Sequence, residues 1–305
     1  MGPTELPARD RPPSEPYDPH HDPLVSDHAG CGRDYAPTWW VASAGVRPVV
    51  LEANQVAWGC SSRSGGQGQN ASGRLKRSQW IGRWGRETAL KLDAEIREGF
   101  ATFRALTEEF DCDATDGGHL YVAHRPKIVP VLQRECEIMR EVFGYDTRML
   151  SAAQLRQEYC NDRDAAGAMH EPDGIGIHPL KLCFGMMREA RRLGARIHTA
   201  SPVTAWRAEG ASQVLITPGG RVRARRVAVC TGGYGGERLS PLLRNRLLPI
   251  LSNSVVTRPL APQERAAAGL HTHTFLTDTR TLRFYYRLLK SEQGDRLQIG
   301  SRSAI

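Results

Sequence analysis

The sequence predicts a mixed α/β (α+β) fold, in which an α/β unit built on a largely parallel sheet is interleaved with an antiparallel, β-rich domain. Three observations predict it. Strand and helix patterns alternate through the first two thirds of the chain; the apolar runs Val49-Val50-Leu51 and Val227-Ala228-Val229-Cys230 each stop at a boundary, Glu52 in one and Thr231-Gly232-Gly233 in the other; and from Pro249 onward the pattern is mostly strand. A chain of 305 residues, 40% hydrophobic and 24% charged, can bury a full core and has room for one large or two ordinary domains.

The first 28 residues are rich in Pro, Asp and His and have no apolar h-region, so they read as a loosely ordered arm rather than a signal peptide. Arg47-Pro48-Val49-Val50-Leu51-Glu52-Ala53 then reads as a short buried strand ending in a carboxylate, which in a Rossmann-type unit holds a ribose hydroxyl. A glycine-rich strand-to-helix turn belongs about 20 residues upstream of such a carboxylate. The G-x-G found there, Gly30-Cys31-Gly32, has Tyr35 where the third glycine falls, no apolar strand before it, and Pro37 soon after to block a helix. It is expected to be a decoy, which leaves the Rossmann-like unit incomplete.

The run Trp58-Gly59-Cys60-Ser61-Ser62-Arg63-Ser64-Gly65-Gly66-Gln67-Gly68-Gln69-Asn70 is too small and polar to pack a core and exposes many backbone N–H groups, so it is a loop. A long helix follows, because Ala89, Leu92, Ile96, Phe100, Phe103, Leu106 and Phe110 recur every three or four residues with Lys91, Glu95, Arg97 and Glu98 between them. The pattern then gives a strand at 119–123, a helix at 127–142, a short helix at 151–159 capped by Ser151, and a turn through 167–179. A helix at 179–193 has Pro179 in its first turn and Gly194 past its end, and leads to a strand at 195–198. Residues 214–216 and 221–224 form a hairpin around Pro218-Gly219-Gly220 that runs on into 227–230, and the late strands are 250–257, 274–276, 283–288 and 297–299. The expected domains are an arm over 1–37, a first domain over 38–112 and 163–240, and a second over 113–162 and 241–305.

Composition narrows the function classes. The net charge of +8 comes from arginines in 63–86 and 188–226 that alternate with apolar positions, which fits a solvated basic face and not a nucleic-acid surface. No apolar run spans a membrane, and a cytoplasmic location is the default expectation. Seven cysteines without a C-x-x-C pair read as reduced thiols. Cys60, beside Arg63, is either an activated thiol or a covalent attachment point or, as the simpler reading, a small inert loop residue. His170, Glu171, Asp173 and His178 include potential metal ligands, but Pro172 and Gly174 break the helical spacing a site would need, so no metal is expected.

Leu51-Glu52-Ala53, the Ser61 to Gln67 loop, the Pro172-Asp173-Gly174 turn followed by Pro179, the 194–203 stretch and Cys230-Thr231-Gly232-Gly233-Tyr234 occur in the order of the D-amino-acid oxidase-like superfamily of FAD-dependent oxidoreductases. The chain resembles its γ-glutamylputrescine oxidase-like branch from about residue 24 onward. The resemblance implies an FAD-binding domain interleaved with a substrate domain, and oxidation of a C–N bond in a small amine or amino acid by hydride transfer to the flavin. It implies that Glu52 binds the adenosine ribose and that Ser61, Ser62, Arg63, Ser64, Gly65, Gly66 and Gln67 wrap the pyrophosphate and approach the flavin. Val203 would meet the adenine through its backbone, and Thr231, Gly232 and Gly233 would close over the dinucleotide. Tyr285 falls where relatives place an aromatic beside the substrate; a half-buried strand tyrosine is the equal alternative. No protein acid or base is assigned.

Two departures mark the chain against the family pattern. The first strand, glycine turn and helix look deleted, since Ala44-Gly45 runs almost directly into Val46-Arg47, and relatives continue past 297–305. The expectation is therefore a truncated member with weak FAD binding and little amine oxidation, or in the rival reading a non-catalytic remnant.

Overall fold

The computed structural model describes residues 25–32, 35–71, 75–234, 239, 246 and 252–302. In chain order the elements are β1 (Val25–Gly32), α1 (Tyr35–Ser43), β2 (Val49–Leu51), β3 (Gln67–Gln69), α2 (Arg77–Glu109), β4 (Thr115–Asp116), β5 (His119–Ala123), α3 (Val129–Phe143), β6 (Arg148–Ser151), α4 (Ala152–Glu158), β7 (Gly167–Glu171) and β8 (Gly174–Gly176). They continue with α5 (Pro179–Arg192), β9 (Arg196–His198), β10 (Ala205–Glu209), β11 (Ser212–Thr217), β12 (Gly220–Cys230), β13 (Ser252–Val256), α6 (Pro262–Ala268), β14 (Phe275–Asp278), β15 (Tyr285–Leu289) and β16 (Arg296–Arg302). The chain divides into two compact units, Met1–Ser64 with Pro179–Ile250 and Gly65–His178 with Leu251–Ile305. This groups 65–112 and 163–178 with the β-rich part, where the expected domains grouped them with the first. The physical reason is that α2 packs on α3, and that β3, β8 and β4 pair with one another in a small sheet.

The first unit holds a six-stranded sheet in the order β10-β11-β12-β1-β2-β9. The strands β12, β1, β2 and β9 run parallel, and β10, β11 and β12 form an antiparallel meander. The predicted hairpin is β11–β12, with Thr217 paired to Gly220 across the two-residue turn Pro218-Gly219, and the predicted strand 227–230 is the far half of the same β12. Val49, Leu51, Leu215, Val222 and Ala224 make its buried core. Helix α5 starts at Pro179, where a missing N–H costs nothing. It stops at Gly194, whose φ of +96° lets Ala195 N–H reach back to Ala190 O at 2.9 Å.

The segment expected to be a decoy is part of this sheet. Residues Val25–Gly32 form β1, paired in parallel with both β2 and β12, and α1 follows from Tyr35. The expectation that the first strand and helix are deleted is corrected, and Gly30-Cys31-Gly32 closes a strand, although not the apolar one its pattern calls for. A strand this polar is specified by two parallel neighbours rather than by its own propensity, and Pro37 sits in the first turn of α1, where proline is tolerated. Helix α1 ends at Gly45, φ +81°, whose N–H donates to Ala42 O at 2.9 Å. Ala42 and Trp39 pack it on Ala190 and Leu193 of the α5 segment. The family's glycine pattern is missing from the sequence, but the strand–helix–strand order is present. The rest of the expected arm, 1–24, lies outside the described residues.

The second unit is built on a seven-stranded sheet, order β13-β16-β15-β14-β5-β7-β6, antiparallel apart from the β14–β5 pair. Alternation splits its faces: Leu120, Val122, Ala168, Leu276 and Leu288 join Leu155 of α4 in one core, whereas Ala123 and Met169 join Leu132, Cys136 and Met139 of α3 in another. Ser151 caps α4 as expected, accepting from Gln154 N at 3.2 Å while Gln154 Oε1 accepts from Ser151 N at 2.9 Å. Helix α2 is not continuous. Gly85 has φ 81° and ψ 164°, which breaks it. As a result Arg77 Nε donates to Asp93 Oδ1 at 2.6 Å, although 16 residues of straight helix would separate them by about 24 Å.

Candidate cofactor and substrate site

In the first unit, strand register brings three expected segments to one edge. Cys31 pairs with Leu51, Gly32 with Cys230, and Leu51 with His198, so β1, β2, β9 and β12 end level. The next residues, Glu52 and Thr231, therefore share the carboxyl edge of a parallel sheet, where α/β folds receive ligands. Glu52 is only 3% exposed. Its N–H donates to His198 O and its carbonyl accepts from Ser201 N, both at 2.9 Å, and its Oε1 accepts from Asn54 N at 2.9 Å. The loops leaving β2 and β9 carry left-handed alanines, Ala57 at φ 57° and Ala200 at φ 50°, and are tied by Ala200 N to Asn54 O at 3.0 Å. Such strain persists only where the surroundings dictate a loop's shape. Val203, half-buried, packs on the Val49, Leu51 and Leu215 core beneath this edge.

The first part of the glycine-rich loop is a string of turns in the same unit. Trp58 N donates to Gln55 O and Arg63 N to Cys60 O, both at 3.1 Å, and Ser62 Oγ donates to Gly59 O at 3.3 Å. The Trp58 ring meets Tyr234 edge-on at 5.8 Å, and the Arg63 guanidinium lies 4.6 Å above it. The 58–63 segment and the Thr231-Gly232-Gly233 turn are thus neighbours. Cys60 is an exposed thiol, and none of Cys60, Cys112, Cys136, Cys160, Cys183 and Cys230 is in a disulfide.

The loop's second part, Gly65, Gly66 and Gln67, belongs to the other unit and lies beside Tyr285. A Cβ at Gly65 would fall 2.9 Å from Tyr285 Cε2, and one at Gly300, the cross-strand partner of Tyr285, would overlap the ring. Tyr285 is half-buried between these two glycines. Its neighbour Tyr286 points to the opposite face, packs on the Leu120 core and donates its hydroxyl to Asp162 Oδ2 at 2.8 Å. Arg287, back on the Tyr285 face, donates from Nε to Gly65 O at 2.9 Å and from Nη2 to Ile177 O. The carboxylates weighed as metal ligands are engaged elsewhere: Glu171 Oε2 with buried His119 Nδ1 at 3.0 Å, and Asp173 Oδ2 with Asn70 Nδ2 at 3.1 Å.

A buried carboxylate and a glycine turn at the ends of parallel strands that flank β1, with N–H-rich turns alongside, are the donor and acceptor set that a dinucleotide requires. A model of the FAD dependent oxidoreductase family matches residues 38–304. The chain belongs to this family. Among FAD-dependent oxidoreductases, it is 29% identical over 282 residues to gamma-glutamylputrescine oxidoreductase of Escherichia coli, covering 90% of this chain and 64% of that protein. It is 26% identical over 270 residues to a probable oxidoreductase, OrdL, of Haemophilus influenzae, covering 87% and 61%. The chain thus spans less than two thirds of the length of these curated relatives. Its fold is that of glycine oxidase from Geobacillus kaustophilus, with a TM-score of 0.69 at 20% identity over 92% of this chain and 72% of that one.

Sequence reasoning missed Trp58, Tyr234 and Arg287. Arg287 had a usable signal, since residues two apart on a strand share a face and Tyr285 was already in view. The Trp58–Tyr234 pair had none, because 176 residues separate them and only the sheet's topology joins them.

Proposed function

We propose that this chain is an FAD-dependent oxidoreductase that oxidises a C–N bond of a small amine or amino acid. The level ends of β2 and β12, with Glu52 and Thr231 on one edge either side of β1, are the observation that carries this reading. The name of the relative from Escherichia coli supports an amine as the substrate class. In this reading Glu52 accepts the adenosine ribose hydroxyls, Val203 meets the adenine, and Ser61, Ser62, Arg63 and Ser64 with Thr231, Gly232 and Gly233 hold the diphosphate. Gly65, Gly66 and Gln67 approach the flavin, and Tyr285 lies on the substrate side. When bound, FAD supplies the hydride acceptor. Among the described residues no helix is long and apolar enough to cross a membrane, and dispersed cysteines without a C-x-x-C pair are in keeping with a reducing compartment, the cytoplasm.

The test is to purify the chain, add FAD, remove the excess by gel filtration, and record the visible spectrum together with peroxide release on a panel of small amines and amino acids. Retained flavin absorption with amine-dependent peroxide or dye reduction supports the proposal. A chain that retains no flavin and oxidises nothing is the non-catalytic remnant instead.

A further inference from the structure

Arg287 is 3% exposed, and among the described residues no carboxylate pairs with it. Burial pushes its guanidinium down to about 10, so it remains a cation at neutral pH. Withholding a charge from water without an opposite charge is unfavourable, and the bonds that hold it there are specific. The ladder between β3 and β8 begins at the Gln67–Gly176 pair. Just beyond that pair Ile177 N donates to Gly66 O at 2.8 Å, and Gly65 O and Ile177 O lie at this end of the small sheet. Arg287 donates to both. Its own direction is set by Gln298, the cross-strand partner, whose Oε1 lies 3.5 Å from Nε and whose Nε2 donates to Ser254 Oγ at 3.1 Å. Nη1 fills the place where a Cβ of Gly176 would stand, with Thr115 Oγ1 beside it. Tyr285 covers the Cα of Gly65 while Arg287 holds its carbonyl.

We infer that Arg287, together with Tyr285, is a positioning residue that locks the Gly65 end of the glycine-rich loop into its ligand-receiving shape before any ligand arrives. A neutral amide would also satisfy two carbonyls. The guanidinium does so with a rigid fork and adds a fixed positive charge behind a loop that, in the proposed function on which this inference rests, meets an anionic dinucleotide.

The experiment measures amide hydrogen exchange on the full unliganded chain and, separately, FAD affinity by flavin fluorescence, in wild type, Arg287→Met, Arg287→Lys and Gly176→Ala. The Gly176 variant keeps the arginine but displaces its guanidinium. Arg287→Met and Gly176→Ala should speed exchange at 65–67 and 177 by about tenfold or more while β5 and β7 stay protected. Both should weaken FAD by about tenfold, with Arg287→Lys recovering part of each loss. Unchanged exchange at 65–67 in both variants would overturn the inference, as would faster exchange with undiminished FAD affinity. If Arg287→Met loses protection throughout β5 and β7, it has unfolded and Gly176→Ala decides. A wild-type chain that takes up no FAD overturns the proposed function, and the exchange comparison still decides whether Arg287 fixes the loop.

Discussion

Tyr285 folds its ring over Gly300, its partner across the β15–β16 pair, so that a Cβ at Gly300 has no room. Gly300→Ala should therefore push the ring off its seat and cost about 1–3 kcal/mol, as overpacking does. Gly99 is the contrast. It lies in the interior of α2 with open space at its Cβ position, and Gly99→Ala should stabilise by roughly 0.5–1 kcal/mol. Urea titrations of the two variants should move the midpoint in opposite directions; equal shifts would mean that Tyr285 does not occupy that position.

The ion pair between Arg77 and Asp93 has side chains 1% and 5% exposed, whereas Lys91 and Glu87 pair at 2.7 Å with side chains 75% and 84% exposed. Asp93→Ala leaves a buried guanidinium without its carboxylate and should cost on the order of 3–5 kcal/mol. Glu87→Ala should change stability by no more than about 0.5 kcal/mol. Denaturant midpoints that fall together in the two variants would show that Gly85 does not fold α2 back on itself.

His170 is held below its ordinary pKa of 6.5, first by burial and then by Arg148. The neutral ring is thus favoured in the folded protein, and below pH 6.5 the unfolded chain takes up this proton before the folded one does. Stability should decline as pH falls from 6.5 toward the lower folded value. His170→Gln should flatten that part of the curve, seen in melting temperatures between pH 7.5 and 5.5; a variant with the same slope as wild type would assign the pH dependence to other groups.

Phe100 is 8% exposed on α2, and Phe100→Ala should cost about 3–5 kcal/mol from lost transfer energy and a residual cavity. Glu98, exposed two residues away on the other face, should be replaceable at little cost. Circular dichroism melts that fail to separate these two substitutions would put the wrong face of the helix in the core.

Local signals made much of this architecture legible. Helix α5 has proline at its start and glycine after its end, α4 has a serine–glutamine box, and β12 has an apolar run closed by glycines. These depend on neighbours in sequence. Strand β1 does not, because its order comes from β2 and β12 on either side, and its own residues, Ser26, Asp27, His28 and glycines among them, carry no strand signature. The break in α2 was hidden for another reason: Gly85 precedes the periodic stretch that begins at Ala89, and Asp93 sits on the apolar stripe only because Arg77 returns to meet it. At the site, Glu52 and Thr231 were readable from strand ends, while the closeness of Tyr285 and Arg287 to Gly65 depends on how β15 lies against a loop more than 200 residues earlier.

In the proposed function FAD binds on the carboxyl edge of the parallel sheet, with Glu52 as the ribose acceptor. Equilibrium titration of the chain with FAD, followed by flavin fluorescence in wild type and Glu52→Ala, tests it most directly. Saturable one-to-one binding in wild type is expected, weakened in Glu52→Ala by roughly 1.5–3 kcal/mol, the worth of a hydrogen bond to a charged group. That is a loss of about tenfold to a hundredfold in affinity. No saturable binding, or equal affinity in the two proteins, would contradict the account.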